Sequence, residues 1–326
     1  MIKSSRLVIF MAAAFLIAWL IPWQSAVAEQ RINLNLAKDI RFHPESDFNP
    51  KLSGEKPKSL SLRLYGGYSH FAAKDLNEGL DGYFELMEIY KAEGAFSSVT
   101  GGYKPLHPGY NLGADLIYQI TSKIGLGLGL GYLRSSKVSR LDFETISGDT
   151  GKLRSSSSLS AIPIRLGVFF TWPMKNKLNF IANAGLSYYA GLKLNTNNRL
   201  ESGTGYWQEE SIKASGGSIS RNLGFHGSLG LEYWLSSKIG FYAEAIGRYA
   251  RFKNFSQATS LNRDSVGHSE SIEGKLYLET YSSTAGTISY FIVSDTPPIS
   301  TPDEIFKEPK IDLSGFSLQA GFHIKF

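Results

Sequence analysis

Residues Ile124 to Tyr132 read Ile-Gly-Leu-Gly-Leu-Gly-Leu-Gly-Tyr, large and apolar at every second position. A helix cannot gather positions two apart on one side, whereas a strand does so by geometry. The same period begins near Ser59, where Leu60, Leu62, Leu64, Gly66 and Tyr68 share one face. Ser61, Arg63, Tyr65, Gly67 and Ser69 share the other. It returns at Tyr110 to Ile120, Ser160 to Trp172, Leu178 to Tyr188, Leu223 to Leu235, Ile239 to Tyr249 and Gly315 to Phe326. Each of these eight segments is close to the roughly 9–11 residues that a tilted strand needs to cross a bilayer.

Two-faced strands also build soluble sandwiches, so the connections decide more. Thr121 to Lys123, Pro173 to Lys177 and Ser236 to Lys238 are tight links. The connections between them span about 38, 27, 34 and 65 residues. Short and long alternate strictly, which places every long connection at one end. A soluble sandwich has no need of this, but a membrane barrel has short periplasmic turns and long extracellular loops. The expected fold is therefore all-β: an eight-stranded antiparallel up-and-down transmembrane β-barrel over residues 59–326.

The N-terminus carries an export address. Lys3 and Arg6 precede an apolar run from Leu7 to Trp23, and Ala26-Val27-Ala28 offers the small-x-small pattern cleaved before Glu29. Residues 1–28 are read as a signal peptide in preference to a retained anchor. Residues 29–58, polar and Pro-containing, are read as a periplasmic lead-in. The whole chain is charged +5, and loss of Lys3 and Arg6 with the leader leaves +3. So small and even an excess argues against a nucleic-acid partner. The absence of cysteine removes disulfides, thiolate metal sites and Cys nucleophiles.

In the last segment Phe316, Leu318, Ala320, Phe322, Ile324 and Phe326 share one face, and Ser317, Gln319, His323 and Lys325 the other. Here the sequence resembles the bacterial outer-membrane β-barrel superfamily, in particular the small eight-stranded OmpA-membrane-domain, OmpX and OmpW-like members. Gly321 to Phe326 looks like its C-terminal assembly signal. The resemblance covers about Ser59 to Phe326. It implies location in the cell outer membrane of a Gram-negative envelope, with Phe322, Ile324 and Phe326 read by the barrel-assembly machinery. It further implies periplasmic chaperones, outer-membrane lipid and lipopolysaccharide as partners. A monomer is expected.

Outward positions should be apolar, because a charge at the bilayer midplane costs about 2–4 kcal/mol. The inward set carries Arg63, Asp115, Arg165, Glu232, Glu244 and Arg248, with His226 and His323. Eight strands leave room only for side chains, so bulky ions need small residues opposite. The turn registers put Asp115 across from Gly129, Arg165 from Gly185 and Glu244 from Gly230. Single buried charges are expensive, so a charge network across the lumen is expected. It serves as a plug on the bland reading and as a gate in a narrow ion path on the other.

Other chemistry finds little support. The glycine run lacks GxGxxG spacing and a GK[ST] motif, and the six histidines form no metal pattern. His226-Gly227-Ser228 with Glu244 is similar to the arrangement in outer-membrane lipid A deacylases, yet alternation turns both His226 and Ser228 inward, and the flanking residues do not match. No cofactor and no enzymatic activity are expected. Among the long connections, Asp75 to Tyr90 predicts an amphipathic helix whose apolar face holds Tyr83, Leu86, Met87 and Tyr90. Lys275 to Tyr281 and Thr287 to Val293 predict a hairpin in the last loop; entry into the membrane would make ten strands. The expected role is structural, or surface interaction through the loops. A porin-like narrow ion channel or a transporter of small hydrophobic molecules is the alternative, and a lipid A-modifying enzyme a remote one.

Overall fold

A computed structural model describes residues 59–216, 222–253, 255, 257–284 and 286–326, all within one compact unit. The expected signal peptide and lead-in lie outside the described residues. The chain is an antiparallel all-β structure with one helix. Its elements in order are β1 (Ser59–Phe71), α1 (Lys74–Ala92), β2 (Phe96–Gly102), β3 (Pro108–Gln119), β4 (Ile124–Thr145), β5 (Thr150–Lys175), β6 (Leu178–Ser202), β7 (Trp207–Ser215) and β8 (Leu223–Trp234). There follow β9 (Ile239–Tyr249), β10 (Arg251–Lys253), β11 (Gln257–Asp264), β12 (Ser269–Ser283), β13 (Gly286–Ser294), β14 (Glu304–Lys307), β15 (Lys310–Asp312) and β16 (Gly315–Lys325). The expected count of eight strands is thus corrected to sixteen among the described residues.

The eight alternating segments all fall in strands, and their pairings run in a cycle: β1–β3–β4–β5–β6–β8–β9–β16 and back to β1. Tight turns join them on one side. Asp115 faces Gly129 and Glu244 faces Gly230. The third expected register is corrected, because Arg165 faces Ser187 while Gly185 faces Gly167. β5 continues through Pro173 to Lys175 with a register shift at Met174, and the turn shrinks to Asn176 and Lys177. Asn176 adopts φ 49°, the left-handed conformation that such a two-residue turn demands and asparagine tolerates.

On the other side the long connections are largely folded. β4, β5 and β6 run to 22, 26 and 25 residues, so the expected second loop is a hairpin closed by four residues, 146–149. The extended β6 pairs with β7, which continues through β11, β12 and β13. The predicted hairpin is present, with Leu276 opposite Val293 and Tyr281 opposite Ile288. The predicted helix is also present, but its buried residues are Leu76, Gly79, Leu80, Gly82, Phe84 and Met87. Tyr90 is exposed and Leu86 half-buried, so the packed face is rotated from the expected one.

A hydrophobic core not anticipated from the sequence fills this loop side. It joins Phe71, Leu133, Leu159 and Tyr189 from the ring strands to Leu76 and Leu80 of α1 and to Leu276, Phe291 and Val293 of β12 and β13. The loop-side end of the ring and the inserted elements therefore share one interior.

Candidate functional site in the ring interior and the loop-side cavity

Along each ring strand alternate residues face inward, and the inward set is buried although polar. Arg63, Asp115 and Glu232 are 2%, 2% and 1% exposed. The outward set is apolar and bare: Leu128, Leu166 and Leu229 are 56%, 59% and 60% exposed. This inverts the arrangement of a water-soluble protein, in which burial follows hydrophobicity.

The expected charge network resolves into separate groups. Arg165 donates to Asp115 at 2.7 Å and lies over the Tyr65 ring at 4.7 Å. Nearer the tight turns, Arg63 meets Glu232 at 3.4 Å, and Glu232 also bonds His323 and accepts from Asn179 at 3.0 Å. Glu244 is held by neutral donors: Ser228 at 2.7 Å, Gln319 at 2.6 Å and Asn183 at 3.4 Å. Arg248 donates to the carbonyls of Leu313 and His70 at 2.7 and 2.8 Å, and to Ser317. Tyr65, Ile181 and Tyr242 pack as a buried cluster within the ring. A cavity of about 30 Å³ remains beside Arg165, His226 and Arg248, room for one water.

His226 bonds Ser187 at 2.8 Å, and the Ser228 hydroxyl donates to Glu244. The two members of the His-x-Ser pair thus have different partners, where a nucleophile and its base need each other. Among the described residues no three His, Asp or Glu side chains gather as a metal site, and no helix is long and apolar enough to cross a membrane. Phe322, Ile324 and Phe326 lie on the outward face of the last segment; Phe322 packs edge-on against Phe241, and the Phe326 amide bonds the Leu60 carbonyl at 3.0 Å.

The loop side adds a cavity of about 260 Å³, walled by Tyr83 and Met87 of α1 and by Glu209, Glu210, His268 and Glu270. Tyr83 donates to Glu210 at 3.0 Å. Burial holds the Glu210 carboxyl above the usual carboxylate range, against the hydrogen bonds it accepts from Tyr83 and Asn198. Sequence reasoning missed Glu210. The signal was available in β7, where Ile212 and Ala214 continue the period-two face that begins at Gln208 and Glu210.

No family model matches the sequence, and no curated protein is similar to it. Among solved structures, the outer membrane protein OprG from Pseudomonas aeruginosa aligns with a TM-score of 0.31 and 12% identity, over 83% of this chain and 97% of that one. The outer membrane protease OmpT from Escherichia coli aligns with a TM-score of 0.24 and 6% identity, over the same shares. The expectation of no enzymatic activity is corrected on this finding and withdrawn, since a protease stands among the neighbours. At these TM-scores neither neighbour's chemistry carries over to this chain.

Proposed function

We propose that this chain is an outer-membrane β-barrel protein, with the eight cyclically paired strands as its membrane wall and the loop-side elements as a folded surface-interaction domain. The observation that carries this reading is the inverted polarity of the ring. Bare leucines outside and buried ions inside are stable only where hydrocarbon replaces water around the wall. Aromatic residues support it from both rims. Tyr118, Trp172 and Tyr233 lie near the tight turns, and Tyr68, Tyr110 and Tyr249 near the loop side, all at least 41% exposed, as interfacial belts require.

On this reading residues 1–28 direct export, and the outward Phe322, Ile324 and Phe326 serve assembly of the wall. The interior charges act as a plug. The loop-side core covers one mouth, and Trp234, stacked on by Lys325 at 3.8 Å, narrows the other. These features favour surface interaction over the narrow-channel alternative.

Fractionation of expressing cells tests the proposal. The protein should sediment with outer membranes, need detergent for extraction and migrate differently before and after boiling. A folded chain that dissolves in water without detergent would overturn it. Planar-bilayer recording separates the two roles: a silent parent supports the plug, whereas current steps altered by Arg165→Gln or Glu244→Gln would make the lumen a path.

A further inference from the structure

The loop-side cavity of about 260 Å³ has two kinds of wall. Leu153 of β5 and Leu200 of β6 stand opposite each other, and with Tyr83 and Met87 of α1 they pack in one apolar cluster. One step nearer the ring a polar row crosses four strands. Asn198 of β6 faces Glu210 of β7, Glu210 faces Asn262 of β11, and Asn262 faces Glu270 of β12. Alternation places this row on the inward face, which continues through Ile212 into the core. Amide and carboxylate alternate along it, and the two carboxylates stand two strands, or roughly 10 Å, apart.

The other acids on these walls are answered within the chain. Glu209, on the alternate face of β7, meets Arg199 at 3.4 Å and lies opposite Arg263. Asp264 holds the His268 ring at 2.9 Å and accepts from the Val266 and His268 amides, both at 3.0 Å. Glu210 and the exposed Glu270 form no ion pair among the described residues. Tyr83 and Asn198 both donate to one Glu210 oxygen, Oε2, at 3.0 and 3.4 Å, and Oε1 accepts from no described residue. Burial without a countercharge accounts for the raised pKa of this carboxyl. A second observation is independent of the acids. Ser260, 3% exposed, lies on the same inward face two residues before Asn262, and its hydroxyl has no hydrogen-bond partner among the described residues.

We propose that this cavity binds a small linear aliphatic diamine, with one ammonium at Glu210 and the other at Glu270. An ammonium has three donors and no acceptor. Glu210 Oε1, the Ser260 hydroxyl and the Asn262 side-chain carbonyl supply three acceptors and one countercharge. The methylene chain between the ammoniums lies against Leu200, Met87 and the Tyr83 ring, which a hydrated metal ion or a neutral sugar would leave without apolar cover. Two carboxylates on alternate strands suit two separated charges better than one ion. Among the described residues no three His, Asp or Glu side chains gather as a metal site. The inference does not rest on the membrane reading, since every residue it uses belongs to the loop-side elements.

Isothermal titration of the full chain in a neutral detergent tests it, with diaminopentane as the probe and pentylamine and pentanediol as comparisons. Glu210→Gln removes a charge-assisted hydrogen bond and should weaken diaminopentane binding by roughly tenfold to a hundredfold. The parent should bind diaminopentane about threefold more tightly than pentylamine, the worth of one exposed ion pair, and Glu270→Gln should erase that difference. This second comparison serves if Glu210→Gln does not fold. Equal binding of diaminopentane by the parent and both variants, or binding of pentanediol as tight as that of the diamine, would overturn the inference. Calcium bound in place of the diamine, and lost on both substitutions, would overturn it by assigning the carboxylates to a metal. A lysine-containing tripeptide that binds more tightly than diaminopentane would overturn it by assigning the ammonium to a protein side chain. None of these results bears on whether the ring lies in a membrane.

Discussion

Asp115 and Arg165 form their 2.7 Å ion pair from strands that are not neighbours, meeting above Gly129 of the strand between them. A Cβ on Gly129 would lie 2.1 Å from the Asp115 carboxylate and 3.2 Å from Arg165 Nε. The glycine therefore supplies the space in which two buried charges neutralise each other. Gly129→Ala should separate them, and breaking a buried pair costs about 3 kcal/mol. The measurement is the urea midpoint of the unboiled, fast-migrating form. An unchanged midpoint would mean that the pair does not depend on Gly129.

Arg63 and Glu232 form a second buried ion pair, at 3.4 Å. Arg63 is sandwiched over the rings of Phe169 and Tyr242 at 5.4 and 5.0 Å, and Glu232 retains His323 and Asn179 if the arginine is removed. Arg63→Met leaves a buried carboxylate with fewer donors and should destabilise by about 3 kcal/mol. The double variant Arg63→Met/Glu232→Leu should recover most of that loss, because hydrophobic replacement of a buried ion pair is often neutral. Additive losses in the double-mutant cycle would show that the two residues act independently.

The contrast between ring and loop side explains what could be read from the chain in advance. Leu126, Leu128 and Leu130 alternate with glycines, so strand, faces and register follow from a period of two and a short turn. Asp115 and Gly129 met as expected for that reason. Arg165 did not meet Gly185, because one extra residue at Met174 and a left-handed Asn176 reset the pairing. Because the bulge falls after Trp172, at the very end of the alternating segment, it leaves the hydrophobic period of that segment unchanged. On the loop side β4, β5 and β6 continue as strands rich in Ser, Asn and Arg that look like loop composition, and the added partners β2 of β4 and β7 of β6 are short. The helix was legible as an element, but its face was not. Of the expected face of Tyr83, Leu86, Met87 and Tyr90 only Met87 is buried, whereas the contact with β13 is set by the smallest residues, Gly79 and Gly82.

That contact gives a third expectation. A Cβ on Gly82 would come within 2.0 Å of the Ser289 carbonyl oxygen, backbone that cannot swing aside. Gly82→Ala should lift α1 from β13 at a cost of about 1–3 kcal/mol, as overpacking does. Trypsin applied to intact cells should then cut faster at Lys91, while the boiling-dependent mobility of the ring stays as in the parent. A parental cleavage rate would show that the helix accommodates the methyl group.

Asp81, on the same helix, makes the loop side pH-dependent. Burial, with the nearby Glu85 carboxylate adding to it, raises its pKa to about 6 from a reference of 3.8, and the Glu85 carboxyl is itself raised by burial and by Glu78. An acid whose folded pKa lies above its unfolded value binds its proton more tightly in the folded state. Folding then gains from protonation at low pH and loses that gain as pH rises from about 4 to about 6. A shift of this size corresponds to roughly 3 kcal/mol at most, and solvent screening of a half-buried group brings it nearer 1 kcal/mol. The tryptic cleavage rate at Lys91 should accordingly be lower at pH 5 than at pH 7, after correction for the protease's own profile. Asp81→Asn cannot ionise, so it should flatten most of this dependence and protect the helix at pH 7. A slope preserved in Asp81→Asn would assign the effect to Glu85 or to another group.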